Sequence, residues 1–432
     1  MKKVLIITYY WPPSGGAGVQ RWLKFTKYLP EFGWEPIILT VQPEDASYPL
    51  LDTTLEDEVR EGIRVIKTPS REIYKLYQKF TGAENIPSAG FANEKSNSFK
   101  HKIAKFIRGN FFIPDPRRGW NRYATREAMK ILAEEKDIQC IITSSPPHST
   151  QLIGLKLQKR FSIPWLADLR DPWTDIFYYE KLYTTLPAHW LNLMHEKRVL
   201  KNADRIIVVG PFLKKMIEKK YGVDRKKVQV VVNGFDEDDF SNIPDQEETD
   251  SSLTYVGTLS DQYPIDSLVE TFYNLIGENP EMKFRFVGSV SSNSRKALSR
   301  IPEKNIEYIP HVSHVEAIRY MRQSGALLLI IPDHSSGEGI LTGKLFEYLA
   351  SGRPIVGIGP VDGDAASVIR ECGAGEMVGY TDKVRLKAVL TEWIQGHHKG
   401  KPSKTPSGAS AYSRRNMTAR IVDLLNQLNQ VV

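Results

Sequence analysis

Short apolar runs alternate with stretches of helical periodicity along almost the whole chain. Lys3 to Thr8 (KVLIIT) reads as a buried strand, and Trp22, Leu23, Phe25, Tyr28 and Leu29 then recur at helical spacing between Val19 and Phe32. Pro36 to Val41 returns to the strand pattern, so the opening residues predict a strand, a glycine-containing loop, a helix and a second strand, which is a βαβ unit. Further strands are predicted at 63–67, 137–143, 162–168, 202–210 and 228–232, with helices near Glu72–Phe80, before Arg160 and around 190–201. The alternation restarts with strands at 253–259, 283–287, 306–309 and 326–331 and one from Pro354, separated by helices at 264–278, 294–301, 313–323 and 342–351. Several of these strands are continuous Val, Ile and Leu runs, the pattern of parallel strands buried on both faces. The expected class is therefore α/β, with two doubly wound Rossmann-like domains.

The polar, acidic, Pro-containing stretch from Ser241 to Ser252 separates the two series as an interdomain linker would, and the basic Gly/Ser/Pro stretch from Gly396 to Ser410 precedes a last helix, Tyr412 to Leu428. That helix carries Met417, Ile421, Leu424, Leu425 and Leu428 on one face. The expected domains are 1–240, 241–405 and a terminal helical segment, 406–432.

With 432 residues and 41% hydrophobic composition the chain can bury two ordinary cores. Its two cysteines, Cys140 and Cys372, lack CxxC spacing, so neither a disulfide framework nor a cysteine-ligated zinc site is expected, and a reducing cytoplasm is the simplest compartment. Val4 to Ile7 is too short for a signal-peptide core, and no apolar run reaches the length of a membrane span. The net charge of +7 is concentrated between Phe99 and Arg126, where eight Lys and Arg face the single acid Asp115. Neither zinc-finger spacing nor an RNA-binding aromatic signature accompanies that cluster, so nucleic acid is not an expected partner. Phe99 to Ile113 reads as a basic amphipathic helix, with Phe99, Ile103, Phe106 and Ile107 on one side and Lys100, Lys102, Lys105 and Arg108 on the other. Two readings suit it equally: an interfacial helix on the inner face of the cell membrane, which would imply a lipid-linked acceptor, and a surface helix packed on its own domain.

The chemistry concentrates in Pro332 to Gly359 (PDHSSGEGILTGKLFEYLASGRPIVGIG). A glycine-rich loop there delivers unpaired backbone amides and a helix N-terminus to the carboxyl end of a strand, a place suited to an anion. Lys344 lies in the first turn, where a cation is disfavoured without a negative ligand, and Glu347 lies one turn on, within reach of sugar hydroxyls. Phosphate beside hydroxyl is the chemistry of a nucleotide-sugar; an ordinary loop with Lys344 and Glu347 as a solvated pair three residues apart is the alternative. In the first half, YYWPPSGGAG brings Gly15, Gly16 and Gly18 to the end of the first strand without forming GxGxxG, which argues against a nicotinamide dehydrogenase. His148, in SSPPHST, and Asp168, Arg170 and Asp171, in ADLRDPW, also fall at the carboxyl ends of strands, where open α/β sheets place ligands, although Asp171 before Pro172 equally suits a helix N-cap.

Four separated elements resemble the retaining family 4 glycosyltransferases of the GT-B fold: Glu347 followed by Ala-Ser-Gly-Arg-Pro-Ile-Val, ADLRDPW with PDPRRGW at Pro114 to Trp120, the glycine loop at residues 15–18, and ADRIIVV leading to VNGFD and Phe240. The resemblance implies two domains facing a cleft, with the C-terminal helix returning to the N-terminal domain. It implies sugar transfer, with retention of configuration, from a nucleotide-sugar donor to a lipid-linked or polysaccharide-precursor acceptor, without cofactor or metal. Gly15, Gly16, Gly18, Gly257, Thr258, Gly339, Ile340, Leu341, Thr342, Lys344 and Glu347 would bind the donor. His148, Arg170, Asp171 and Trp173 would face the acceptor, and His148, Asp168, Asp171 and Lys344 would be catalytic. Two features depart from the family pattern. Its first glutamate position falls on Gly339, with Glu338 one residue early, and Thr258 and Tyr263 stand near the usual phosphate-binding Arg and Lys, leaving Lys344, the amides of Leu341 to Lys344 and Arg285. Rival readings are a nucleotide-sugar epimerase or hydrolase on this fold, and a degenerate, non-catalytic binding module.

Overall fold

The computed structural model describes residues 1–72, 99–241, 243, 250–398 and 406–429. The expected helix at Glu72–Phe80, apart from Glu72 itself, the loop after it and most of the 241–252 linker lie outside these residues. The chain divides into two compact units, Met1–Val232 with the tail from Met417 onward, and Asn233–Asn416. The divisions thus fall at 232/233 and 416/417, against the expected 240/241 and 405/406. Backbone pairing accounts for the displacement: Phe235 N donates to Tyr412 O at 3.2 Å and Arg414 N to Phe235 O at 2.7 Å, so the NGFD stretch and residues 412–414 are held together in the second unit.

In the first unit, β1 (Lys2–Thr8), β2 (Trp34–Val41), β3 (Arg64–Thr68), β4 (Ile138–Ser145), β5 (Trp165–Leu169), β6 (Arg205–Val208) and β7 (Val228–Val230) form one sheet in the order β3-β2-β1-β4-β5-β6-β7. Every pairing in it is parallel. Val4 to Ile7 at its centre are wholly buried, as their unbroken apolar run requires. The terminal helix, Arg414–Asn429, buries Met417, Ile421, Leu425 and Leu428 and is tied to β1 by Lys2 Nζ donating to Asn426 at 2.9 Å.

The second unit repeats the plan with β8 (Ser252–Val256), β9 (Lys283–Val287), β10 (Ile306–Ile309), β11 (Ala326–Ile330), β12 (Ile355–Ile358) and β13 (Gly375–Val378), again all parallel, in the order β10-β9-β8-β11-β12-β13. In both sheets the strand order reverses between the first strand and the fourth, the place where an open α/β sheet opens a crevice beyond its carboxyl ends. The loops after β1 and β4 flank that point in the first unit, and those after β8 and β11 in the second. Arg285, expected to help with phosphate, is instead consumed inside the second unit: it bonds Glu307 at 2.7 Å, Asp250 at 2.6 Å and Ser252 Oγ at 3.1 Å.

Candidate functional site

In the second unit β8 ends at Gly257, with φ +117°, and β9 at Gly288, with φ +123°. A Cβ on Gly288 would lie 2.5 Å from the Gly257 carbonyl, so glycine is what lets these strand ends meet. Lys344 closes over the first of them. Its Nζ would lie 3.2 Å from a Cβ on Gly257, sits 4.1 Å from the centre of the Tyr255 ring and donates to the Tyr255 hydroxyl at 2.7 Å. That hydroxyl in turn donates to the Thr258 carbonyl at 2.9 Å. Burial lowers the Lys344 pKa to about 8, with nearby Glu347 acting the other way. The ammonium is thus desolvated and bonded to a neutral phenol, a poor arrangement for a resident charge and a good one for a charge that awaits an anion. Gly257→Ala is expected to destabilise the unit by about 1–3 kcal/mol, because a Cβ at this positive φ is strained, and the denaturant midpoint of the variant checks it.

Lys344 stands in the first turn of the helix Gly343–Ser351, which Gly352 closes at φ +74°. Thr342 precedes the helix in extended conformation without capping it by its side chain, and its buried Oγ1 has no hydrogen-bond partner. The first-turn amides consequently face the loop without a protein cap. Gly337 to Gly339 form one tight turn leading to Ile340, Leu341 and Thr342, and Glu338 on that turn points into solvent. Glu347 turns to His314 Nε2 at 3.2 Å, at the start of the helix His314–Gln323, so the alternative of a Lys344–Glu347 pair is not what forms. His314 and Tyr255 were both missed by sequence reasoning. The first sits among unremarkable loop residues, and the second reads as one more apolar strand position.

In the first unit the loops after β1, β4 and β5 are locked to one another. Arg170 donates through Nε to the Ser145 carbonyl at 3.0 Å, through Nη2 to Pro146 at 3.1 Å and through Nη1 to Gly18. Its expected place facing the acceptor is corrected accordingly: the guanidinium is occupied in clamping three backbones. Gly15 is tied to the Leu50 carbonyl at 2.9 Å, whereas Gly16, with φ +87°, is exposed at the start of the helix Ala17–Tyr28, which has no side-chain cap.

Asp168 is likewise reassigned. It is completely buried and accepts from Arg21 Nε at 3.1 Å and Nη2 at 3.0 Å, Trp22 Nε1 at 2.7 Å and Ser144 Oγ at 2.8 Å, which leaves no face for a substrate. Asp171 is half-buried; burial raises its pKa, Arg170 opposes the shift and Asp168 adds to it. Of the two carboxylates, Asp171 is the one that keeps surface. His148 is buried and stacked on the buried Trp173, ring centres 4.7 Å apart, and burial lowers its pKa to about 3. A histidine so far below neutrality is a weak general base, and Trp173, bonded to Asn192 at 3.2 Å, serves first as its stacking platform.

Two parallel Rossmann-like units, each with its candidate loops at the reversal of strand order, give the chain the architecture of the GT-B class. Residues 88–239 match the family model described as Glycosyltransferase Family 4. Over 172 residues the chain is 27% identical to TuaH of Bacillus subtilis (strain 168), by its name a candidate glycosyltransferase of teichuronic acid biosynthesis. That match covers 38% of this chain and 42% of TuaH. Among solved structures, HepE of Anabaena in complex with UDP aligns with a TM-score of 0.60 at 13% identity, over 98% of this chain and 100% of that one. TarM of S. aureus, in complex with fondaparinux, alpha-GlcNAc-glycerol and UDP, aligns with a TM-score of 0.61 at 11% identity, over 99% and 100%. The resemblance seen in the sequence motifs is thus met by family model, relative and fold.

Proposed function

We propose that the chain is a retaining glycosyltransferase that moves a sugar from a nucleotide-sugar to a glycan or lipid-linked acceptor on the cytoplasmic side, without metal or cofactor. The observation that carries this reading is Lys344, an ammonium held against a phenol and the positive-φ Gly257 at an uncapped helix start. Such a cradle stabilises the negative charge that grows on a diphosphate leaving group. Glu347 and His314 would meet the hydroxyls of the nucleotide, and the amides from Gly339 to Thr342 the phosphates or sugar. The acceptor oxygen bonds to the anomeric carbon as the bond to phosphate breaks and its electron pair leaves with the nucleoside diphosphate. The acceptor proton passes to a donor phosphate oxygen on the same face. UDP is the first nucleotide to try, since HepE and TarM were solved with it.

A thermal-shift series with nucleoside diphosphates and nucleotide-sugars, run with and without chelator, tests the reading. Ligand at a hundred times its Kd is expected to stabilise the fold by about 2.7 kcal/mol, with chelator making no difference. The absence of any nucleotide shift would favour a degenerate binding module, and turnover of donor without acceptor would favour a hydrolase or epimerase.

A further inference from the structure

The helix Phe99–Phe111 buries Ala104 and Gly109 against the first unit and turns its apolar stripe away from it. Ile103 and Ile107 are exposed, Phe106 is 41% exposed and Phe111 is 68% exposed, the reverse of a helix packed on its own domain. A second apolar group joins this one. A Cβ on Gly109 would lie 2.5 Å from the Leu182 carbonyl, and Asn110 holds the next residues from both sides, donating to the Tyr183 carbonyl at 3.0 Å and accepting from the Thr185 amide at 2.7 Å. Beyond this joint Tyr183 is exposed, and Leu186 and Trp190, one turn apart on the helix Leu186–Asn202, are 85% and 62% exposed. Two elements far apart in sequence thus present Phe, Ile, Tyr, Leu and Trp on adjoining surface, more than scattered surface apolar residues provide.

The charges beside the patch indicate what covers it. Residues 99–113 and 180–190 contain five Lys and Arg and a single acid, Glu180. Aromatic rings with polar edges, aliphatic side chains and a predominantly basic rim are the composition that settles at the headgroup level of an anionic bilayer. A second copy of this chain would bring the same positive charge to the contact. We infer that the first unit docks on an anionic lipid surface through Ile103, Phe106, Ile107, Phe111, Leu186 and Trp190, with Lys102 and Lys105 against the headgroups. That the acceptor is taken from the same surface rests on the transfer reading above; the docking itself does not. Among the described residues no helix is long and apolar enough to cross a membrane.

Co-sedimentation of the full chain with vesicles of phosphatidylglycerol and phosphatidylcholine, without nucleotide, tests the inference independently of any transfer. Wild type is expected to bind the mixed vesicles and not pure phosphatidylcholine. Phe106→Ser with Trp190→Ser is expected to lower binding by more than about tenfold, and Lys102→Gln with Lys105→Gln by roughly fivefold per charge. All four positions lie outside the candidate site and are not fully buried, so unchanged melting and unchanged nucleotide response serve as folding controls. Binding that survives the Phe106/Trp190 change would overturn the assignment, as would no binding by wild type. A wild-type dimer that the same pair of substitutions makes monomeric, with no vesicle binding, would assign the patch to a second copy instead.

Discussion

Lys344→Ala is expected to lower kcat/KM for sugar transfer by roughly 10²–10³ while leaving the melting temperature of the free protein unchanged or slightly higher. The two halves of that result have one cause. A side chain that only builds structure lowers stability when truncated, whereas this ammonium is held away from water on a phenol and beside Gly257, with burial lowering its pKa to about 8. The unfolded chain therefore binds more protons than the folded one between pH 8 and the ordinary lysine value of 10.5, and this group's contribution to stability rises with pH through that window. Below it the charged lysine is a cost to the free protein, which a bound diphosphate would offset on the proposed reading. In the wild type, nucleotide affinity is expected to fall as pH rises past about 8, where the free protein loses the charge, and in Lys344→Ala that limb is expected to flatten. Nucleotide titrations of both proteins between pH 6.5 and 9.5, with melting curves at each pH, check both statements. Equal pH slopes in the two proteins, or a melting temperature several degrees lower in the variant, would make Lys344 a structural residue.

The backbone was far more legible in the sequence than the site. Unbroken apolar runs such as Val4–Ile7 and Ala326–Ile330, short and bounded by polar or glycine-rich loops, read as strands buried on both faces, and they placed both sheets to within a few residues. Lys344 was legible too, because a cation in a helix first turn contradicts the local dipole and so asks for a ligand. What stayed hidden depends on pairings between residues remote in the chain. Asp168 lies at a strand end like a ligand-binding carboxylate, and only the fold brings Arg21 and Trp22, 147 and 146 positions away, onto both of its oxygens. On a helical wheel Arg21 is an ordinary polar position, yet it is among the largest side chains wholly buried in the molecule. Arg170 and Arg285 illustrate the same limit: a guanidinium at a site edge looks available until its carbonyl or carboxylate partners are known. The amphipathic Phe99–Phe111 helix was legible as a pattern but not in its orientation, which hangs on the close approach at Gly109.

Asp168→Ala is expected to destabilise the first unit by about 3–5 kcal/mol, the largest stability effect of any single change considered. Both partners of the Arg21–Asp168 pair have completely buried side chains, so removing the carboxylate leaves a guanidinium without water or counter-charge and strands the donors of Trp22 and Ser144. For a unit of this size the loss corresponds to a fall in melting temperature of roughly 6–20 °C. Replacing both members with apolar residues of similar volume, Arg21→Met with Asp168→Leu, is expected to recover part of that loss, since much of the penalty belongs to the orphaned charge and not to the missing bond. The consequence for activity runs through position. The Asp168 carbonyl accepts from Gln151 at 2.8 Å and from Ser145 at 3.2 Å, and its neighbour Arg170 clamps the turn that carries His148. Asp168→Asn, which keeps shape and loses charge, should therefore lower kcat at temperatures where the variant remains folded, while nucleotide affinity, which the proposed reading assigns to Lys344 in the second unit, should stay near wild type. A melting curve with a nucleotide titration on the same sample separates these outcomes. If Asp168→Asn melted like wild type yet lost all turnover, Asp168 would be a catalytic group after all, and its enclosure by Arg21 and Trp22 would have to open during the reaction.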